Sequence, residues 1–205
     1  MNMKNFPKIT IILRGYNYSK VRTVLKALSG SSIKAVEITM NTPGAAEMIS
    51  KLSSEFEGKI LIGAGTVTTL QLAKVAIKAG AKFILSPVML SKEIIDLCKE
   101  NSVISVPGTM SPTEIYKSYK DGADIIKVFP AISCGSKFFK GVKAPLGDLP
   151  LMAVGGVTKE NAKEFLDNGA NFLGIGSGLF NKEDIENENL EGLIKSIGEF
   201  EKMIG

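Results

Sequence analysis

The sequence predicts an α/β chain folded as a compact (β/α)8 barrel, and three observations carry that reading. Short apolar runs alternate with amphipathic stretches along the whole chain. Its 205 residues are 44% hydrophobic, enough to bury one sizeable core. Nearly every apolar run ends in a polar group or a glycine, which is where barrel enzymes place their chemistry. One barrel domain spanning residues 1–205 is expected.

Taken in order, the strand candidates are Ile9–Leu13, Ala35–Thr39, Ile60–Ala64, Lys82–Leu85, Val103–Val106, Ile125–Val128, Leu151–Val154 and Phe172–Ile175. Between them come helical patterns over Ser19–Leu28, Ala45–Glu55, Leu70–Ala79, Lys92–Glu100, Pro112–Lys120, Glu160–Asn168 and Leu190–Met203. Three segments share one pattern: 78–84 (KAGAKFI), 120–126 (KDGADII) and 167–173 (DNGANFL). Each reads as a helix end, a glycine in the left-handed cap position and a strand start. An open doubly wound sheet would alternate strands and helices as well. Its phosphate loop follows the first strand, however, and here that strand runs into Arg14-Gly15 with no Gly-x-Gly-x-x-Gly.

Composition excludes several kinds of function. The chain has no histidine, which removes the commonest general base and the commonest metal ligand together. No metal and no cofactor is expected. Cys98 and Cys134 are far apart and form neither a metal cluster nor a disulfide framework; Cys98 falls in a helical pattern and reads as core. The formal charge of +4 comes from scattered basic residues, so nucleic acid is not indicated. No apolar stretch approaches the roughly 20 residues that span a bilayer, and the opening Met1–Lys8 lacks a signal peptide's apolar core. A cytoplasmic protein is expected. The acidic segment Lys182–Glu191 reads as a solvated loop and helix start.

Lys127 is the most informative residue. It sits within a run of β-branched residues that reads as a buried strand, where desolvation favours the neutral, nucleophilic amine. Such amines form Schiff bases with ketones. The alternative is a lysine whose head reaches solvent or pairs with Asp124. Side-chain parity puts Ala35, Glu37 and Thr39 on one face of the second strand and Ile125, Lys127 and Phe129 on one face of the sixth. The larger apolar residues, Val36, Ile38, Ile126 and Val128, should pack on the helices. Alternate strands feed one interior layer, so Glu37 and Lys127 can meet near the barrel axis. A structural ion pair would satisfy the same geometry. Gly155-Gly156 and Gly176-Ser177 follow the last two strands, where barrel enzymes commonly hold phosphate on backbone N–H groups; paired glycines also serve tight turns.

With those residues in place, the segments 12–15 (ILRG), 36–38 (VEI), 63–67 (GAGTV), 127–131 (KVFPA) and 153–157 (AVGGV), with Gly176-Ser177, resemble a known family. It is the class I aldolases that cleave 2-keto-3-deoxy-6-phospho sugar acids and 4-hydroxy-2-oxoglutarate. The likeness runs from Ile12 to about Ser177. It implies that Lys127 is the Schiff-base lysine and Glu37 the general acid/base. It further implies that Arg14 and the Gly65-Thr66 turn hold the pyruvyl carboxylate, that Pro87 and Phe129 shape the pocket around Lys127, and that Gly155, Gly156, Gly176 and Ser177 hold phosphate. A homotrimer acting on a phosphorylated 2-keto acid is implied. Asn41 and Val154 stand where the gluconate-type enzymes usually carry Arg and Thr, so the chain resembles the galactonate type at both substrate-binding positions. Val88 stands where the gluconate type often has Gly. Two rivals belong to other classes: a phosphate-binding isomerase or epimerase in which Glu37 abstracts a proton, and a non-catalytic barrel that binds a sugar phosphate.

Overall fold

The computed structural model describes residues 5–204. Met1–Lys4, part of the opening segment expected to lack a signal peptide, and Gly205 lie outside the described residues. The elements in order are β1 (Ile9–Leu13), α1 (Tyr18–Leu28), β2 (Ala35–Thr39), α2 (Ala45–Glu55), β3 (Leu61–Gly65), α3 (Leu70–Lys78), β4 (Phe83–Leu85), α4 (Lys92–Glu100), β5 (Ile104–Val106), β6 (Gly108–Thr109), α5 (Pro112–Lys120), β7 (Ile126–Val128), α6 (Ala131–Cys134), α7 (Lys137–Leu146), β8 (Leu151–Val154), α8 (Ala162–Asp167), β9 (Phe172–Ile175), α9 (Lys182–Glu186) and α10 (Leu190–Ile204). A short 3-10 turn, Ser177–Leu179, follows β9.

The strands form one parallel sheet in the order β5-β4-β3-β2-β1-β9-β8-β7-β6. β5 and β6 are two pieces of a single barrel strand, separated at Pro107, which has no N–H to give to a ladder. The ring closes across this strand. The Ile125 N–H donates to the Ser105 carbonyl at 3.2 Å and the Lys127 N–H to the Pro107 carbonyl at 2.9 Å. Eight strand positions therefore surround the axis, and the fold is the (β/α)8 barrel the sequence predicts.

Strand parity divides the core into two layers. Ala35, Phe83, Leu85, Ile104, Val106, Ile125, Met152, Val154 and Phe172 pack together inside the barrel with Phe6. Val36, Ile38, Ile126 and Val128 pack outward with the helices. Before β1, the ring of Phe6 makes edge contacts with Phe83 and Phe172, at 5.2 and 5.7 Å between centroids. These edge-to-face contacts fill the end of the barrel from which the strands start.

The repeated helix-to-strand joint has one geometry in all three places. Gly80, Gly122 and Gly169 have φ of 95°, 94° and 102°. The N–H groups of the residues that follow, Ala81, Ala123 and Ala170, donate five residues back to Ala76, Ser118 and Phe165 at 3.1, 3.1 and 3.0 Å. This is the Schellman closure of a helix, which needs a residue without Cβ strain at its left-handed position.

The departures from expectation have local causes. α6 and α7 were not predicted, because Gly141 and Pro145 break the helical pattern in α7 and α6 is a single turn. The helix expected from Glu160 begins at Ala162: Asn161 accepts from the Thr158 N–H at 2.8 Å and donates to the Gly156 carbonyl at 2.9 Å, which holds a turn there instead. The acidic segment contains the short helix α9 as well as the start of α10. No helix among the described residues is long and apolar enough to cross a membrane.

Candidate active site

Glu37 is 2% exposed and Lys127 5%, and both line a cavity of about 270 Å³ at the carboxyl ends of the strands. Arg14, Thr66, Pro87, Phe129, Val154, Gly155, Gly156 and Gly176 line the same space. The strand parity that places Lys127 and Phe129 inward also brings the Lys127 Nζ to 4.7 Å from the centre of the Phe129 ring. Asp124, the alternative partner for Lys127, is committed elsewhere: one of its oxygens accepts from the Ser105 N–H at 2.9 Å and from the Ser105 hydroxyl at 2.8 Å.

Burial sets the ionisation of the pair. Desolvation pushes the Glu37 carboxyl above the usual carboxylate range, against the pull of Lys127 and Arg14. Desolvation likewise holds Lys127 below the usual lysine range; Glu37 opposes this and Arg14 adds to it. The directions are complementary: each group is moved toward neutrality, where a proton can pass between them at modest cost. One Glu37 oxygen, Oε2, is buried with no hydrogen-bond partner among the described residues. A buried acceptor without a partner is costly in a purely structural residue.

The glycines around these two groups are there for space. A Cβ on Gly63 would lie 2.3 Å from the Phe83 ring. On Gly155 it would lie 3.0 Å from the Phe129 ring, and on Gly156 2.4 Å from Ile132. Gly155 and Gly156 also have φ of 89° and 76°, so their backbone turns in a way that side chains resist. They bring main chain directly to the cavity wall.

Three expected site residues fall outside the lining. Gly65 lies beneath the Glu37 carboxylate, Ser177 opens the 3-10 turn beside Gly176, and Asn41 is exposed and accepts a hydrogen bond from Arg14 Nη1 at 2.8 Å. Ile12, Val157, Gly174 and Gly178 line the cavity without having been picked out. Ile12 and Gly174 were accessible to the parity rule, since Ile12 shares the inward face of β1 with Thr10 and Gly174 that of β9 with Phe172. Cys98 is buried, and burial pushes its thiol up to about 12. Cys134 ends α6 and is not part of the lining.

Among the described residues no group of three or more His, Cys, Asp or Glu is placed to hold a metal ion. What the site offers is a desolvated amine, a desolvated carboxyl, one guanidinium and a wall of main chain. Comparison with known proteins agrees with that chemistry. The chain is 32% identical over 170 residues to the 2-dehydro-3-deoxy-6-phosphogalactonate aldolase of Escherichia coli (strain K12), covering 82% of each chain. It is 36% identical over 143 residues to the 2-dehydro-3-deoxy-phosphogluconate aldolase of Pseudoalteromonas atlantica (strain T6c), covering 69% of this chain and 65% of that protein. The solved structure described as "Native KDPGal structure" superposes with a TM-score of 0.82 at 28% identity, covering 98% of this chain and 97% of the other. The profile of the aldolases described as "KDPG and KHG aldolase" matches residues 2–196, and the chain belongs to that family.

Proposed function

We propose that this chain is a metal-independent class I aldolase that cleaves 2-keto-3-deoxy-6-phospho sugar acids to pyruvate and glyceraldehyde 3-phosphate. The reading also allows 4-hydroxy-2-oxoglutarate, cleaved to pyruvate and glyoxylate. The observation that carries it is the burial of Lys127 and Glu37 in one cavity, each shifted toward its neutral form. Residues 1–205 act as one barrel domain, and the family resemblance supports a homotrimer working in the cytoplasm.

The neutral Lys127 amine attacks the C2 ketone, forming a C–N bond, and Glu37 passes protons as the carbinolamine loses water. The resulting protonated imine is an electron sink. When Glu37, directly or through water, takes the proton of the C4 hydroxyl, the C3–C4 bond breaks. Its electron pair moves into the enamine, and the C4 carbon leaves as an aldehyde. The enamine then takes a proton at C3, and water returns the amine and releases pyruvate. Arg14 holds the carboxylate at one end, while the main chain of Gly155, Gly156, Gly176 and Ser177 receives the phosphate at the other. The partly desolvated ring of Phe129 and the ring of Pro87 keep the amine out of bulk water.

The test is pyruvate release, followed by a coupled dehydrogenase assay, from 2-keto-3-deoxy-6-phosphogalactonate and its gluconate epimer in the presence of EDTA. Release of pyruvate and glyceraldehyde 3-phosphate in equal amounts is expected. Interconversion of the two epimers without pyruvate would instead mark an isomerase or epimerase, and no change in either would mark a binding protein.

A further inference from the structure

Arg14 lines the cavity, but Asn41, expected beside the substrate, does not; its Oδ1 accepts from the Arg14 guanidinium at 2.8 Å. One residue further along each chain segment, the Gly15 N–H donates to the Thr42 hydroxyl oxygen at 3.0 Å. The Thr42 hydroxyl is in turn 3.0 Å from that of Thr39, and these two threonines are 6% and 0% exposed. The intervening Met40 N–H donates to the Gly65 carbonyl at 2.8 Å, tying the same loop to the end of β3. The ends of β1 and β2 are thus joined by two parallel hydrogen bonds, anchored on a buried hydroxyl pair.

We propose that Asn41 is a positioning residue that holds Arg14 in the orientation needed to meet the carboxylate of a 2-keto acid. This rests on the aldolase reading given above. An exposed arginine has many rotamers to give up when it is fixed. No carboxylate among the described residues lies within ion-pair reach of Arg14 to fix it. An amide oxygen suits the task because it accepts one N–H without neutralising the guanidinium, leaving its charge and remaining donors for the substrate. A carboxylate at the same place would orient Arg14 and compete for it.

Pyruvate separates this role from a direct contact with the rest of the substrate, because pyruvate carries the carboxylate but nothing beyond C3. Borohydride trapping at graded pyruvate concentrations is compared in the wild type and in Asn41→Leu and Asn41→Asp. Leu should raise the half-saturating pyruvate concentration about tenfold, with the rate at saturation within about twofold of wild type. Asp should also weaken pyruvate while restoring the ordered Arg14 signals described next. Arginine side-chain NMR gives a readout independent of turnover: resolved Arg14 Nη signals in the wild type and in Asn41→Asp, and averaged signals in Asn41→Leu. Unaltered half-saturation in Asn41→Leu together with a raised KM for the phosphosugar acid would show that Asn41 touches the distal substrate, and would overturn the proposal. Averaged Arg14 signals in the wild type would overturn it as well. A wild type that traps no pyruvate would refute the Schiff-base reading instead, and the NMR comparison would still decide whether Asn41 orders Arg14.

Discussion

Gly65 has no side chain because Glu37 occupies the space where one would begin: a Cβ on Gly65 would lie 1.4 Å from the Glu37 Oε1. The Glu37 side chain is 2% exposed, so it has nowhere to retreat without leaving the layer it shares with Lys127. Gly65→Ala should therefore displace the carboxyl rather than the strand, since β3 is held to β2 over five register pairs. The expected result is a loss of turnover on the order of 10²-fold or more, with the far-ultraviolet circular dichroism unchanged. Full activity in this variant would mean that the Glu37 carboxyl can work from another position.

On the proposed mechanism, replacing Glu37 by Gln keeps the shape and removes the proton transfer. Turnover should fall by about 10²–10⁴-fold, the usual contribution of a positioned acid/base. The melting temperature should not fall, because the desolvation that raises the Glu37 pKa no longer acts on a neutral amide. Steady-state kinetics and a thermal melt on the same preparation check both halves.

The pH dependence of imine formation follows from the direction of the Lys127 shift. The neutral amine is the reactive form, and desolvation lowers its pKa from the ordinary 10.5, so the inflection in trapping rate should lie below that value. Arg14 is a cation that adds to the lowering. Arg14→Met removes it, the ammonium becomes easier to form, and the inflection should move to higher pH. Trapping must be measured at saturating pyruvate, so that the loss of carboxylate binding does not disguise the shift. An inflection that stays in place, or moves down, would contradict the electrostatic account.

The fold and the placing of Glu37 and Lys127 in one cavity were legible in the sequence because both rest on strand parity. Ala35, Glu37 and Thr39 alternate with Val36 and Ile38, and a single buried face forces the register of β2. The same rule, applied to β1 and β9, would have found Ile12 and Gly174. The break at Pro107 was less accessible, since Val103–Val106 and Gly108–Thr109 look like a strand and a loop until the Lys127 N–H is seen to bond across the proline. The close packing of Gly63 and Gly65 was legible only as a motif, because what fills the space beside them, Phe83 and Glu37, lies on neighbouring strands. The partner of Asn41 was hidden for a similar reason. Its loop follows β2 toward the site, but the hydrogen bond that turns its amide to Arg14 spans 27 residues.

Val154, one of the two positions with Asn41 at which the chain resembles the galactonate type, is buried and lines the cavity beside Gly174. A Cβ on Gly174 would come 2.8 Å from a Val154 methyl, so this wall is tightly packed and apolar. Cleavage of the phosphogalactonate should be at least as efficient as that of the phosphogluconate. Val154→Thr, which adds a hydroxyl at almost constant volume, should move the ratio of the two kcat/KM values toward the gluconate epimer by roughly 3- to 30-fold. An unaltered ratio would place the discrimination elsewhere in the cavity.

The central claim is that Lys127 forms an imine with the keto acid, and covalent trapping tests it most directly. Incubation with pyruvate and borohydride, followed by peptide mass spectrometry, should place one reduced pyruvyl adduct on Lys127, the lysine that is 5% exposed and held toward its neutral form by burial. Lys127→Arg should give none, since a guanidinium does not deprotonate. The absence of any adduct in the wild type, or an adduct on another lysine, would contradict the account.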